Sequence, residues 1–335
     1  MHAEMTPVEA CMADLEGGSH GFAFSSGRAA IACVLELVNS GSHVILSEGL
    51  HGERYRLFED IRRRSSGLRI SYVDPTDQKA LEEAFVPDET KMVWVESPAS
   101  PKAGLADLAM IAEFARDQDL ISVCDNSNAT PCLQRPIEHG FILSLHSTPG
   151  YLYGGILEDA GLAVVAPDQE FTVDKLGFVR ASLGAAPTSA DLELARRALG
   201  SLEIRMERVC DTAERVAGFL ADQPGVDVVF YPGSPDNRNS VLAKRQMKRP
   251  GGFLSFVIDG DFDHTRSVLA KLRLIKRGIG PSGLESRIDH PSDDHFSMVP
   301  PEIRSGLDLE DGLCRLWIGL EDAEDLIGDL KGALT

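Results

Sequence analysis

The chain has 335 residues, 43% hydrophobic and 25% charged, enough to bury a large core and to divide into a larger and a smaller domain. Its 33 Lys and Arg against 52 Asp and Glu leave a formal charge of −19, spread without a basic stripe or a long single-sign run. That pattern weighs against nucleic-acid and anionic-membrane partners. No apolar run is long enough to span a bilayer, and Met1-His2-Ala3-Glu4 opens no export signal. The six cysteines, Cys11, Cys33, Cys124, Cys132, Cys210 and Cys314, lack the spacing of a zinc site or a disulfide framework, so a cytoplasmic protein without a metal site is expected.

Thr6-Pro7-Val8-Glu9 has the form of a capping box with proline at the first helical position, and Gly17-Gly18 stops the helix it opens. Apolar runs follow at 21–24, 43–46, 68–73, 92–96, 120–125 and 141–145. They alternate with amphipathic segments at 28–39, 53–64, 78–85 and 105–117. Strands not split into polar and apolar faces belong in a parallel sheet covered on both sides, so the fold class is α/β. In such sheets ligands bind at the carboxyl ends of strands, which directs attention to Ser25-Ser26, Ser97-Pro98 and Asp125-Asn126. A long helical pattern from Thr188 to about Phe219 is expected to connect the domains, with the division after residue 207. Beyond it, strand-like runs at 226–231, 252–258, 272–275 and 313–318 alternate with helices at 263–271 and 322–334, an α+β arrangement over 208–335.

Four places carry candidate chemistry. Ser25-Ser26-Gly27-Arg28-Ala29-Ala30 follows a strand and opens a helix, whose free N–H groups suit a phosphate as well as an ordinary serine-capped turn. Asp125 ends a strand within Asp125-Asn126-Ser127-Asn128-Ala129-Thr130-Pro131, where it can serve a cofactor or cap a turn. Arg315 lies inside the apolar strand Leu313-Cys314-Arg315-Leu316-Trp317; burying it unpaired is costly, and its planar fork suits a carboxylate. The fourth is His146-Ser147-Thr148-Pro149-Gly150-Tyr151-Leu152.

These blocks, with Leu15-Glu16-Gly17-Gly18, Tyr55-Arg56-Leu57-Phe58, Val73-Asp74-Pro75-Thr76-Asp77, Leu133-Gln134-Arg135-Pro136, Arg205-Met206-Glu207-Arg208, Leu242-Ala243-Lys244-Arg245-Gln246-Met247 and Gly319-Leu320-Glu321-Asp322, resemble the Cys/Met-metabolism family of pyridoxal-phosphate enzymes over nearly the whole chain. That family includes cystathionine synthases and lyases and methionine γ-lyases. The resemblance implies a fold-type-I, aspartate-aminotransferase-like architecture with a mostly parallel sheet and a smaller C-terminal α+β domain. It also implies an amino-acid substrate and a homodimer. Cofactor contacts would come from Ser26, Gly27, Arg28, His51, Asp125, Ser127 and Ser147, with Asp125 on the pyridine nitrogen. Arg315 would grip the substrate carboxylate, and Ser100 would lie beside the substrate.

The departures from the pattern are as informative. Gly150 stands where the family's H-S-x-T-K-Y-L loop carries the Schiff-base lysine, so no catalytic residue can be assigned there. His51 replaces a ring-stacking tyrosine, Ser100 an asparagine, Pro149 a threonine, Gly280 a serine, and Trp317 a small serine that left the pocket wider. The N-terminal arm that reaches a neighbouring subunit's phosphate is not matched, and Arg28 is a candidate to restore that charge. Lys102 is a possible substitute lysine approaching from another strand end; His146 matches a histidine that accompanies the lysine in the family. Three readings stay open: an enzyme holding pyridoxal or pyridoxamine phosphate noncovalently for C–S or γ-substitution chemistry, a pseudoenzyme or partner subunit, or an enzyme that reuses the pocket with the cofactor lost.

Overall fold

The computed structural model describes residues 4–48, 52–294 and 309–335. The first helix, Pro7–Glu16, starts where the capping box predicts: the Glu9 amide donates to Thr6 Oγ1 at 3.4 Å and the Thr6 amide to Glu9 Oε2 at 2.8 Å. Gly17 ends it in the left-handed region at φ 75°, which suits a residue without Cβ.

Strands β1 (His20–Phe24), β2 (His43–Ser47), β3 (Arg69–Val73), β4 (Thr90–Glu96), β5 (Ile121–Asp125), β6 (Leu143–His146) and β7 (Gly161–Val165) form a seven-stranded sheet in the order β1-β7-β6-β5-β4-β2-β3. Pairings among β2 to β6 are parallel, while β7 is antiparallel to both its neighbours. The runs at 21–24 through 141–145 fall on β1 to β6. The buried run Gly161–Val165 adds the seventh strand, which the alternation of runs and amphipathic segments does not announce. Helix Gly27–Leu35 packs its Ile31 and Val34 with Phe24, Trp94 and Leu143 on one face, and helix Leu108–Asp117 covers Val95 and Cys124 on the other.

The helical pattern from Thr188 is two helices, Ser189–Leu199 and Leu202–Ala221, because the chain turns at Gly200 and Ser201. The division expected after residue 207 lies inside the second, whose Met206 and Val209 share one apolar cluster with Met12 and Phe256. Strands β8 (Val226–Phe230), β9 (Phe253–Ile258), β10 (Lys276–Arg277), β11 (Arg287–Asp289) and β12 (Leu313–Trp317) make a five-stranded sheet ordered β10-β11-β12-β9-β8. The expected strand at 272–275 is instead a turn. The amides of Arg273, Leu274 and Ile275 all donate to the Asp329 carboxylate at 2.9 Å, so they are spent on a side chain, and the strand begins only at Lys276.

One register detail positions everything that follows. Parallel pairing sets Glu96, the last residue of β4, beside Asp125, the last residue of β5. Two carboxylates therefore meet at the carboxyl edge of the sheet, both almost wholly buried.

Candidate active site

Like charges held side by side out of water are costly, and a cation between them is the direct remedy. It comes from Arg54. The helix Gly52–Tyr55 carries it and continues as a π-helical stretch over Arg56–Arg62, pinned by buried Phe58, whose ring meets Trp94 of β4 edge-on at 5.4 Å between centroids. Arg54 Nη1 lies 2.7 Å from Glu96 Oε2, its Nε 3.6 Å from Asp125 Oδ2, and its Nη2 donates to Ser147 Oγ at 3.1 Å. Burial works against the charge on Arg54, but Glu96 and Asp125 outweigh it and hold the guanidinium more firmly protonated than usual. Burial pushes the Glu96 carboxyl up, only partly countered by Arg54.

Asp125 accepts three hydrogen bonds and faces one cation. Its Oδ1 accepts from the Ser127 amide at 3.1 Å and the Ser127 hydroxyl at 2.5 Å; its Oδ2 accepts from Ser147 Oγ at 2.5 Å and faces Arg54. Ser127 Oγ in turn accepts from the amides of Ser147 at 2.8 Å and Thr148 at 3.2 Å. The structure thus brings Asp125, Ser127 and Ser147 together, with Arg54 as a fourth member that sequence reasoning missed. An arginine in an amphipathic segment reads as a solvated residue; only the β4–β5 register makes it necessary.

Ser26 caps helix Gly27–Leu35, its Oγ accepting from the Ala29 amide at 3.0 Å. The Gly27 amide, expected to face a phosphate, donates to Asp159 Oδ1 at 3.0 Å, and exposed Arg28 reaches Asp159 Oδ2 at 3.5 Å. The charge of Arg28 is therefore directed to a carboxylate of the chain itself. His51 lies outside the described residues.

Arg315 is wholly buried in β12. Its Nε donates to Asp289 Oδ1 at 2.8 Å, its Nη2 to Asp289 Oδ2, and its Nη1 to Ser100 Oγ at 2.5 Å. The expected fork for a substrate carboxylate is closed on Asp289 of β11, directly across the antiparallel pair. Trp317 stacks on Phe253 at 5.0 Å, lies under the Arg315 guanidinium, and donates its indole N–H to Asn128 Oδ1 at 3.3 Å. Asn128 Nδ2 donates on to Glu96 Oε1 at 3.3 Å, so one buried polar chain joins Arg315 to Arg54. Lys102 points to Glu310, 3.1 Å away, across the Phe230 ring. His146 turns its Nε2 to Glu16 Oε1 at 2.7 Å, beneath the first helix.

Gly150 opens the short helix Gly150–Tyr153. A Cβ on it would meet the Pro281 carbonyl oxygen at 1.9 Å, the Pro281 carbonyl carbon at 2.5 Å and its ring Cγ at 2.8 Å. The contact is reciprocal, since a Cβ on Gly283 would meet the Gly150 oxygen at 2.2 Å. Arg205 fixes the turn from behind, donating to the carbonyls of Tyr151, Leu152 and Ala198.

The family model described as Cys/Met metabolism PLP-dependent enzyme matches residues 3–335. The chain belongs to that family. It is 42% identical over 326 residues to the cystathionine beta-lyase of Coxiella burnetii, covering 97% of this chain and 84% of that one. It is 36% identical over 330 residues to the L-methionine gamma-lyase of Pseudomonas putida, covering 98% and 82%. The crystal structure of cystathionine gamma-lyase from Lactobacillus plantarum complexed with L-serine matches with a TM-score of 0.92 at 33% identity, over 97% of this chain and 84% of that chain. The fold is accordingly that of fold-type-I pyridoxal-phosphate enzymes, a family whose cofactor is pyridoxal phosphate.

In this arrangement the residues do not fit a lysine-bound pyridoxal phosphate. Backbone fills the start of the path a side chain at residue 150 would take, Asp125 is spent on Ser127, Ser147 and Arg54, and the Gly27 amide is spent on Asp159.

Proposed function

We propose that this member of the Cys/Met-metabolism family is a pseudoenzyme that keeps the lyase frame and does not attach the cofactor to a lysine. The observation that carries the reading is the contact at Gly150, where the Pro281 carbonyl lies 1.9 Å from where a Cβ would be. The engagement of Arg315 by Asp289 supports it from the substrate side, because a carboxylate of the chain holds the fork that an amino acid would need. A homodimer is part of this reading, to be checked by light scattering, with a monomer as the contrary result. The scattered spacing of the six cysteines accords with work in a reducing compartment, and no helix among the described residues is long and apolar enough to cross a membrane.

The test is to incubate the purified protein with pyridoxal phosphate, reduce with borohydride, and map pyridoxyl-lysine by peptide mass spectrometry. No stoichiometric modification of a single lysine is expected. A stoichiometric pyridoxyl group on one residue, Lys102 above all, overturns the proposal. Membership of a pyridoxal-phosphate family favours a second reading, a cofactor held noncovalently for chemistry on a sulfur amino acid. Its sign would be a tightly bound, unreduced cofactor together with turnover of cystathionine or methionine.

A further inference from the structure

We infer that the pocket is filled by the chain's own charges, with Arg54 as the occupant that closes it: its guanidinium takes the cationic place on Asp125 that the ring of a pyridine-type ligand would otherwise take. The inference rests on the reading that the chain carries no lysine-bound cofactor, and it specifies what stands in the site instead.

Three observations meet here. First, β4 and β5 end in register on Glu96 and Asp125, which need a positive partner whatever its source, and Arg54 supplies it from a helix anchored by Phe58 on Trp94. Second, a carboxylate offers about four acceptor positions. Three of those of Asp125 are met by the Ser127 amide and the Ser127 and Ser147 hydroxyls, and the Arg54 guanidinium stands before the remaining one with its Nε 3.6 Å from Oδ2, a charge contact longer than a hydrogen bond that a ring N–H would have to displace. Third, the anionic subsites are treated in the same way. Asp159 accepts from the Gly27 amide at the helix start where a phosphate would be cradled, and Asp289 holds Arg315 where a substrate carboxylate would be held. Each charge that a cofactor or substrate would bring already has a counterpart of the same sign built into the chain.

Arg54 differs from the other two in being the group that stands against the ring-binding carboxylate, so its removal should open the site to a phosphorylated pyridine. The probe is pyridoxamine 5′-phosphate, followed by its own fluorescence and by thermal shift. It has no aldehyde, so it reports on occupancy whether or not any lysine reacts with pyridoxal phosphate, and failure here is distinct from failure of the lysine reading. The wild type is expected to show no saturable binding at millimolar probe. Arg54→Ala should bind saturably, at least tenfold tighter than the wild type, with a ligand-dependent rise in melting temperature. Arg54→Lys keeps the cation and should stay closed. Should Arg54→Ala fold poorly, Arg54→Met combined with Glu96→Gln removes one charge of each sign and is expected to bind the probe as Arg54→Ala would. Equal binding by wild type and variants overturns the inference, and so does absence of binding by every folded variant that lacks the arginine.

Discussion

Replacing Gly150 by alanine adds a single methyl group, and the structure gives that group a definite fate. Real Cβ atoms essentially never approach within 3.0 Å, whereas the Pro281 oxygen lies at 1.9 Å, so the two backbones must part before even a tight contact is reached. The neighbour is backbone, not the end of a flexible side chain. Neither partner gives way easily: Arg205 holds the turn after Gly150, and Ser282 Oγ ties the opposing loop by accepting from the Leu284 and Glu285 amides. Overpacking a rigid contact costs about 1–3 kcal/mol and at times more; a backbone clash of this depth belongs at or above about 3 kcal/mol.

The control is Gly218→Ala in helix Leu202–Ala221, where an added Cβ meets nothing within 4 Å. There the gain in helix propensity should stabilise by about 0.5–1 kcal/mol. The same chemical change therefore has opposite signs at two helical glycines. With a urea m-value of about 3 kcal/mol/M, the unfolding midpoint should fall by about 1 M for Gly150→Ala and rise slightly for Gly218→Ala. A Gly150→Ala midpoint within the equivalent of about 0.5 kcal/mol of wild type would refute the argument, because it would mean the Pro281 loop yields at little cost and a lysine has room. Gly150→Lys, on the same reasoning, should not recover a borohydride-reducible pyridoxal phosphate adduct at residue 150.

Two further perturbations follow from the same geometry. Burial works to raise the Glu9 carboxyl, yet the Ala23 and Thr6 amides and Arg180 together hold it below the usual range. A lowered folded-state pKa means stability that is present above the unfolded value near 4.5 and is lost as pH falls through the folded value. Glu9→Gln should therefore cost about 1–3 kcal/mol at pH 7 and flatten the acid limb of a stability–pH curve; an unchanged acid limb would count against the assignment. Asp289→Ala takes from buried Arg315 its bidentate carboxylate and should cost about 3–5 kcal/mol. Millimolar acetate or propionate should then raise the melting temperature of that variant but not of the wild type, and absence of rescue would show that the fork is not an anion receptor.

Much of the fold could be read from local chemistry. The capping box at Thr6 and Glu9, the unfaced apolar runs of β2 and β4, and the helix starting after Asp261 each depend on neighbours a few residues away. The misreadings share a different cause. Leu272–Ile275 has strand-like composition, but its amides are claimed by Asp329 from a helix some fifty residues on. The break at Gly200–Ser201 interrupts a pattern whose apolar spacing continues across it, so spacing alone predicts one helix. In the site, Gly150 stood out from the loop around it, whereas its contact with Pro281 joins segments about 130 residues apart and has no local signature. Asp125 and Arg315 stood out because a charge at a strand end or inside an apolar strand needs an explanation. Arg54 did not, because its meaning depends on two other residues being in register.

That dependence bears on how such a pocket can change without collapsing. Glu96 and Asp125 are held together by the parallel pairing of β4 and β5, so their mutual repulsion is a property of the sheet and persists whatever the pocket binds. That repulsion has to be offset in the folded state, and a cation that does so can come from a ligand or from the chain. If a ligand supplies it, stability rises with ligand concentration by mass action and the apoprotein is the weaker form. If Arg54 supplies it, the requirement is met at folding, stability is independent of any cofactor, and a ligand bringing a second cation has nothing left to neutralise. The same reasoning applies with signs reversed to Asp289 on Arg315. On the proposed reading, internal charges of this kind remove the advantage of binding before any contact with a ligand is lost, and the frame around Asp125 can persist beside Gly150.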